Sequence, residues 1–168
     1  MTQSTLADLE TQASIRGLLL RLQVRQQGPL TTLRVGVARR NDQGLVLLGE
    51  LKGWVLPTTD GLRLDTMRVQ GEQTACVGPL IWAATFAWAL EATPCRRATL
   101  LAIRDKEAQH RRLVRYFRRL GFAPLRELGA NVFDLGPRLI WGGSGLLMQG
   151  DCANGLTQAL RHWRRCDG

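Results

Sequence analysis

The stretch LRLDTMRVQGEQTACVGPLIWAATFAWALEA (residues 62–92) decides the fold, because it leads from a strand through a short loop into a helix. Residues 62–69 alternate apolar and polar side chains, which is typical of a half-buried strand. Residues 79–92 are apolar on every side and rich in alanine, which predicts a helix buried on most faces. Pro79 suits the first turn of that helix, where a missing N–H is tolerated.

The loop between the strand and the helix allows two interpretations. Free backbone N–H groups and the positive end of the helix dipole meet at such a place, so it is a natural site for an anion. A glycine at position 76 would favour a phosphate-binding loop. The residue there is Cys76, which also fits an ordinary turn into a buried helix.

Upstream of this stretch, the sequence predicts an antiparallel meander. Residues 30–40 and 45–56 read as strands around the turn NDQG (41–44), and the turn PTTDG (57–61) leads into the strand at 62–69. Residues 6–13 form a short helix candidate, and residues 14–25 fit either a helix or a strand.

Downstream, strands and helices alternate. Residues 97–104 form a short apolar strand, residues 105–121 a helix with Gly121 at its C-terminal stop, and residues 153–166 a closing helix. Residues 122–128 and 138–149 are further strand candidates. A strand, a helix and a second strand make a parallel pair. The sequence therefore predicts one α/β (α+β) domain over residues 1–168, with a mixed central sheet flanked by helices: an N-terminal antiparallel meander and a central parallel pair.

Composition places the chain among globular proteins, with 45% apolar and 22% charged residues in 168. No apolar run reaches the roughly 20 residues that a membrane span needs, and the polar N-terminus resembles no signal peptide. We therefore expect a cytoplasmic protein without a membrane span. The four cysteines lack C-x-x-C spacing, so we expect reduced, mostly structural thiols and no metal site.

The charge is the strongest compositional feature. A formal net charge of +9 and a pI of about 10.9 favour polyanionic partners: nucleic acid, an anionic membrane surface or a phosphorylated cofactor. A solvated basic surface that only aids solubility is the alternative.

The segments LDTMRV, Q-x-x-C-x-G, the apolar helix, ATLLAIR and YFRRLGF, in this order and spacing, resemble the GNAT superfamily of acyl-CoA N-acyltransferases over residues 31–126. The resemblance implies acetyl-CoA, or another acyl-CoA, as cofactor. It implies that the backbone of Met67, Arg68 and Val69 pairs with the pantetheine arm and polarises the thioester carbonyl. It further implies that the following loop holds the pyrophosphate through its amides, over Gln73, Thr74, Ala75, Cys76, Val77 and Gly78.

Two positions depart from the pattern that the resemblance implies. Cys76 replaces the middle glycine of the loop, and we expect its Cβ to penalise a positive φ, so that Cys76→Gly would tighten CoA binding. Phe117 stands where the family often has a tyrosine that acts as general acid on the leaving thiolate. Tyr116 is its neighbour, about 100° away around the helix. His110 stands where the family commonly has an asparagine that contacts the cofactor. Either Tyr116 or His110 is a candidate proton donor, and a structural role is the alternative for both.

An N-acyltransferase also needs a group that takes a proton from the attacking amine, and a carboxylate on a central strand commonly does so. Glu50 and Asp65 are the candidates, and a solvated strand residue is the alternative interpretation of each.

Arginines on the helix at 105–121 form a basic stripe. Arg111, Arg115 and Arg118 lie at i, i+4 and i+7, and Arg112 and Arg119 widen the stripe. Nucleic acid is one partner for it, backed by RHWRR (161–165) with Trp163 as a stacking residue. The phosphates of CoA are a second partner, and a solvated helix face is the third interpretation.

The leading functional hypothesis is an N-acyltransferase that moves an acetyl group from acetyl-CoA to an amine, on a small molecule or a protein, by direct attack. The alternative is a catalytically inactive scaffold of the same fold that binds a protein or nucleic acid. Both a monomer and a homodimer are compatible with the sequence.

Overall fold

The computed structural model describes residues 3–71, 74–104, 106–129 and 143–166. Their helices and strands, in chain order, are α1 (Leu6–Ile15), β1 (Leu18–Gln27), β2 (Leu30–Asn41), β3 (Gly44–Val55), β4 (Leu62–Val69), α2 (Val77–Ala92), β5 (Arg97–Ile103), α3 (Glu107–Arg119), β6 (Phe122–Leu128), β7 (Gly145–Asp151) and α4 (Cys152–Arg165).

Within the described residues, the strands form one seven-stranded sheet in the order β1-β2-β3-β4-β5-β7-β6. Among these strands β4 and β5 run parallel, and every other neighbouring pair is antiparallel. The predicted α+β architecture is confirmed, with its N-terminal meander, its central parallel pair and its flanking helices. The ambiguous segment 14–25 belongs mostly to β1, which extends the meander to four strands.

Alternation along the meander separates a core face from an exposed face. Leu33, Val35 and Val37 of β2 are buried, while Arg34 between them is exposed. Cross-strand partners share a face of a sheet. Leu51, the partner of Val35, therefore joins the core, and Lys52, the partner of Arg34, lies on the exposed side. We call that exposed side of β1–β4 the open face.

Helix α2 is the centre of the core, as its all-round apolar sequence predicts. Twelve of its sixteen residues are buried, because it lies between the sheet and α4. Contact with α4 is close at Gly155, where an added Cβ would lie 2.7 Å from Cε2 of Phe86. Contact with the sheet is close at Gly49, where an added Cβ would lie 2.7 Å from Val77 Cγ1.

The C-terminal half confirms some predicted boundaries and corrects others. Helix α3 ends where Gly121 takes φ +96° and its N–H bonds to the Arg118 carbonyl, as its sequence predicts. The strand predicted at 138–149 is observed over Gly145–Asp151, between β5 and β6; residues 138–142 lie outside the described part, as does Asp105.

Two further features bear on the predictions. Within the described ranges, no helix has both the length and the apolar character of a membrane span. The four cysteines are free thiols: Cys95 and Cys152 are buried, and Cys76 and Cys166 are half-buried.

Candidate functional site

Strands β4 and β5 separate soon after they begin to pair. Their pairing covers only Leu62, Leu64 and the residue between them, opposite residues 98–100. Beyond that point β5 pairs only with β7, so residues 65–69 of β4 have no strand partner on that edge within the described chain. We call this opening the β4–β5 cleft. Its edge exposes backbone N–H and C=O groups to a ligand.

A β-bulge in β4 lies at the start of this cleft. Leu64 pairs with Gly53 and Thr66 pairs with Lys52, so Asp65 is an extra residue without a cross-strand partner. A bulge bends its strand and redirects the extra side chain. Asp65 is exposed and lines a cavity on the open face together with Lys52 and Trp54.

The loop predicted to bind phosphate leads directly into α2. The Val77 N–H donates to the Thr74 carbonyl at 3.1 Å, which closes the turn. No acceptor is recorded for the Gly78 N–H in the described part of the chain, and Pro79 has no N–H. Gln73, the first residue of the predicted motif, lies outside the described residues.

Cys76 does not strain the loop, because its backbone does not adopt the positive φ at which a Cβ was expected to be penalised. Its φ and ψ are −89° and −13°, in the right-handed helical region that any residue adopts. Its thiol lies 3.4 Å from the Cys166 carbonyl oxygen, to which it donates. Cys76 therefore ties the loop to the end of α4.

Tyr116 reaches the first turn of α2. Its hydroxyl accepts a hydrogen bond from Trp82 Nε1 at 2.8 Å and lies 3.6 Å from where a Cβ on Gly78 would stand. Met67 of β4 approaches the same point, with its Cε also 3.6 Å away. The start of α2 thus lies between a β4 side chain and a phenol.

Burial raises the pKa of the Tyr116 hydroxyl, and the hydrogen bond from Trp82 opposes part of that rise. The hydroxyl is therefore protonated at neutral pH and has its own proton to donate. It lines a cavity of about 360 Å³, whose lining includes Thr74, Ala75, Gly78, Trp82, Arg119 and His162.

Phe117 has a different environment from its neighbour. It packs edge-on against Trp82, with ring centroids 6.2 Å apart, and it also contacts Phe122. Phe117 therefore anchors α3 against the core, and Tyr116 carries the hydroxyl on this helix.

His110 is buried, and both of its ring nitrogens have contacts. It is only 5% exposed; its Nδ1 lies 3.2 Å from the Ile103 carbonyl, and its Nε2 lies 3.3 Å from Arg104 Nη2. A carbonyl can only accept and a guanidinium can only donate, so this geometry fits a neutral ring with the proton on Nδ1. Arg104 also contacts Glu127 at 3.0 Å, so the chain of contacts joins α3 to β5 and β6.

Glu50 and Asp65 have different surroundings. Glu50 receives Arg34 Nε at 3.1 Å and has Lys52 Nζ at 3.7 Å, so cations occupy both of its oxygens. Asp65 has no ion-pair partner within the described residues. Of the two predicted bases, Asp65 has the carboxylate that is available to a substrate.

Arginines of α3 are divided among three places. Arg111, Arg115 and Arg118 line one groove with Arg104, as the predicted stripe requires. Arg112 lines a separate cavity beside Tyr116, and Arg119 lines the cavity at the start of α2.

Trp163 does not support nucleic-acid binding, and its predicted stacking role is wrong. Its side chain is 0% exposed, its Nε1 donates to Gln12 at 2.9 Å, and the Arg16 guanidinium lies 3.7 Å from its ring centroid. It joins α4 to α1 as a core residue.

Two features of the site lie outside what sequence reasoning found. Trp82, the partner of Tyr116, looks in the sequence like any other aromatic residue of an apolar helix. The cluster around Trp54 on the open face is formed by four strands, and only the strand register brings its members together.

Comparisons with models of protein families and with curated proteins found no match.

Proposed function

We propose that the protein is an N-acyltransferase that transfers an acyl group from acyl-CoA to an amine, with acetyl as the first candidate. The observation that carries this proposal is the β4–β5 cleft, which opens directly beside the start of α2 and the Tyr116 hydroxyl. An unpaired strand edge, a helix N-terminus and a protonated phenol lie close together there, and each suits one part of such a reaction.

The residues of the cleft suit an extended ligand that contains amides. Residues 65–69 offer an unpaired strand edge, to which such a chain adds by β-strand pairing. The Gly78 N–H and the positive end of the α2 dipole suit a phosphate. Arg119 and His162 line the same cavity and add cationic or hydrogen-bonding groups to it.

Acyl-CoA supplies an activated thioester, and the described side chains suit the proton transfers around its aminolysis. The amine nitrogen bonds to the acyl carbon, and the carbon–sulfur bond breaks. Tyr116 donates its phenolic proton to the departing thiolate, and solvent restores that proton. Asp65 accepts the proton that the attacking amine loses, directly or through water.

The test is a titration of the full chain with acetyl-CoA by calorimetry, followed by a thiol-release assay with a panel of amines. We expect binding, and amine-dependent release of CoA above the rate of hydrolysis. Absence of binding at high micromolar acetyl-CoA would contradict the proposal. Gly36→Ala, on a strand away from the cleft, is the control variant and should bind acetyl-CoA and release CoA as the wild type does.

The groove of Arg104, Arg111, Arg115 and Arg118 favours one second candidate, a non-catalytic scaffold that binds nucleic acid. These four cations line one surface groove of about 400 Å³. Under this alternative, single-stranded RNA binds with an affinity that falls steeply with salt. The Arg111→Ala, Arg115→Ala, Arg118→Ala triple variant then loses that binding, and acetyl-CoA does not bind to the wild type.

A further inference from the structure

A second cavity lies on the open face, which is the side of β4 opposite α2. It measures about 360 Å³, and its lining includes Gln23, Arg25, Arg34, Lys52, Trp54 and Asp65. The register accounts for this set: Gln23 pairs with Arg34, which pairs with Lys52, and Arg25 pairs with Thr32, which pairs with Trp54. Two adjacent cross-strand rows therefore present their side chains on one surface.

Charge in this cavity is arranged unevenly. Arg34 and Lys52 share the carboxylate of Glu50, which holds their positions and offsets part of their charge. Arg25 at one side and Asp65 at the other have no ion-pair partner within the described residues. The cavity therefore offers a cationic end and a separate carboxylate, with the indole of Trp54 among its lining groups.

Asp65 connects this cavity to the proposed reaction centre. It is the bulged residue that directly follows Leu64, the last β4 residue paired with β5. Two residues further along, Met67 approaches the start of α2. Strand β4 thus separates a cavity at the helix side from a cavity at the open face, and the β4–β5 cleft lies along its free edge.

We propose that the open-face cavity binds the acyl acceptor, and that this acceptor is a small amine that also carries an anionic group, a phosphate or a carboxylate. The inference rests on the proposed function. Asp65 contacts the ammonium group, and Arg25 and Lys52 contact the anion, through charge-assisted hydrogen bonds. A neutral or purely cationic amine leaves the cationic end without a partner and binds more weakly.

The test measures binding without acyl-CoA, so its outcome does not depend on catalysis. The ¹⁵N-labelled full chain is titrated with O-phosphoethanolamine, with β-alanine and with ethanolamine, which lacks the anion. We expect shifts at the Trp54 indole N–H and at amides of β3 and β4 with the first two probes, and about ten-fold weaker binding of ethanolamine. The two anionic probes distinguish a phosphate from a carboxylate.

Substitutions test which residues contact the anion of the ligand and which contact its ammonium group. Lys52→Gln and Arg25→Gln should each weaken O-phosphoethanolamine binding about ten-fold, roughly the effect of one lost charge-assisted contact. Asp65→Asn should weaken it similarly without affecting the binding of inorganic phosphate. Arg40→Gln on β2, an exposed arginine that is not part of the cavity lining, is the matched control and should leave the affinities for the small amines unchanged.

The remaining outcomes are separable. Acetyl-CoA binding with no shift from any amine would overturn this inference and leave the proposed function standing. Amine binding without acetyl-CoA binding would overturn the proposed function instead. Binding of an oligouridylate that depends on Lys52 and Arg25, with no binding of the small amines, would overturn the inference in favour of a nucleic-acid surface.

Discussion

At the scale of single residues, Tyr116 and Phe117 show how one step along a helix separates chemistry from packing. Phe117 packs between Trp82 and Phe122 in the core. Tyr116 extends its hydroxyl to the start of α2, where Trp82 holds it at 2.8 Å. The hydroxyl of α3 therefore lies beside the cleft, one residue before the position at which the resemblance predicts it.

Tyr116→Phe should separate the catalytic from the structural role of this hydroxyl. We expect the turnover number to fall about 10²-fold, as for the loss of a general acid, with little change in the affinity for acyl-CoA. The free energy of unfolding should fall by about 1 kcal/mol, because Trp82 loses its acceptor. Steady-state kinetics and urea denaturation measure the two effects. Trp82→Phe is the control: it removes the same hydrogen bond and should retain most of the turnover, so equal losses of turnover in both variants would contradict the role of Tyr116 as acid.

Cys76 supports a revised prediction. At φ −89° a glycine gains no conformational advantage, and it loses the contact with Cys166. We expect Cys76→Gly to leave the CoA affinity unchanged or weaker and to lower the free energy of unfolding by about 1 kcal/mol. Calorimetry and urea denaturation check this, with Cys76→Ala as the variant that keeps the Cβ. Tighter CoA binding in the glycine variant alone would show that the Cβ obstructs the loop.

At the scale of secondary-structure elements, the position of α2 on the sheet depends on close approach at Gly49. A Cβ there would lie 2.7 Å from Val77 Cγ1, 2.9 Å from Ile81 Cδ1 and 3.0 Å from the Arg68 carbonyl oxygen. Gly36, on the neighbouring strand, has only Leu47 Cδ1 nearby, at 3.7 Å. The two glycines form a matched pair for testing how closely α2 packs against β3.

Gly49→Ala should push the first turn of α2 away from β3 and lower the free energy of unfolding by about 1–3 kcal/mol. It should also weaken acyl-CoA binding, because that turn forms the cavity. Gly36→Ala should be neutral or stabilising by about 0.5 kcal/mol, since it only restricts the unfolded chain. Thermal denaturation and calorimetry measure both variants, and equal effects of the two substitutions would contradict the packing described for α2.

The helices and strands that depend on local sequence patterns were predictable from the sequence. Alternation predicts β2, β3 and β4, and Gly121 predicts the end of α3. The place of β7 between β5 and β6 was not predictable, because strand order depends on pairing between distant segments. The same holds for the β4 bulge and for Trp163, whose burial depends on Gln12 and Arg16 of the first helix and the turn after it.

At the scale of the whole molecule, the charge excess is distributed over separate surfaces. One cationic set lines the groove along α3, and another lines the open face, where Glu50 and Asp65 offset part of it. Composition predicted affinity for anions, but only the register shows that the open-face cations surround a cavity with its own carboxylate. The net charge alone therefore does not distinguish a polyanion from a small zwitterion.

Alkaline pH should destabilise the fold as a whole. Burial is the main cause that raises the pKa of Cys152 from 9.0 to about 12, and burial also raises the pKa of Tyr116 above 10.0. The folded state holds these protons more tightly than the unfolded chain does. Their contribution is therefore complete below pH 9 and is lost as the pH rises toward 12.

We expect the loss of the Cys152 proton to lower the free energy of unfolding by up to about 1.4 kcal/mol per pH unit in that range, and Tyr116, which is 39% exposed, to contribute less because solvent screens it. Urea denaturation at a series of pH values measures the slope. Cys152→Ala should reduce the fall in the free energy of unfolding that begins near pH 9. An unchanged dependence on pH in that variant would assign the effect to other groups.

The central claim, that the β4–β5 cleft binds acyl-CoA, is tested most directly by titrating the ¹⁵N-labelled chain with CoA and following its amide signals. The account predicts saturable shifts of the Met67, Arg68, Val69 and Gly78 amides, with smaller changes elsewhere. Shifts confined to the arginines of α3, or no shift at high micromolar CoA, would contradict it.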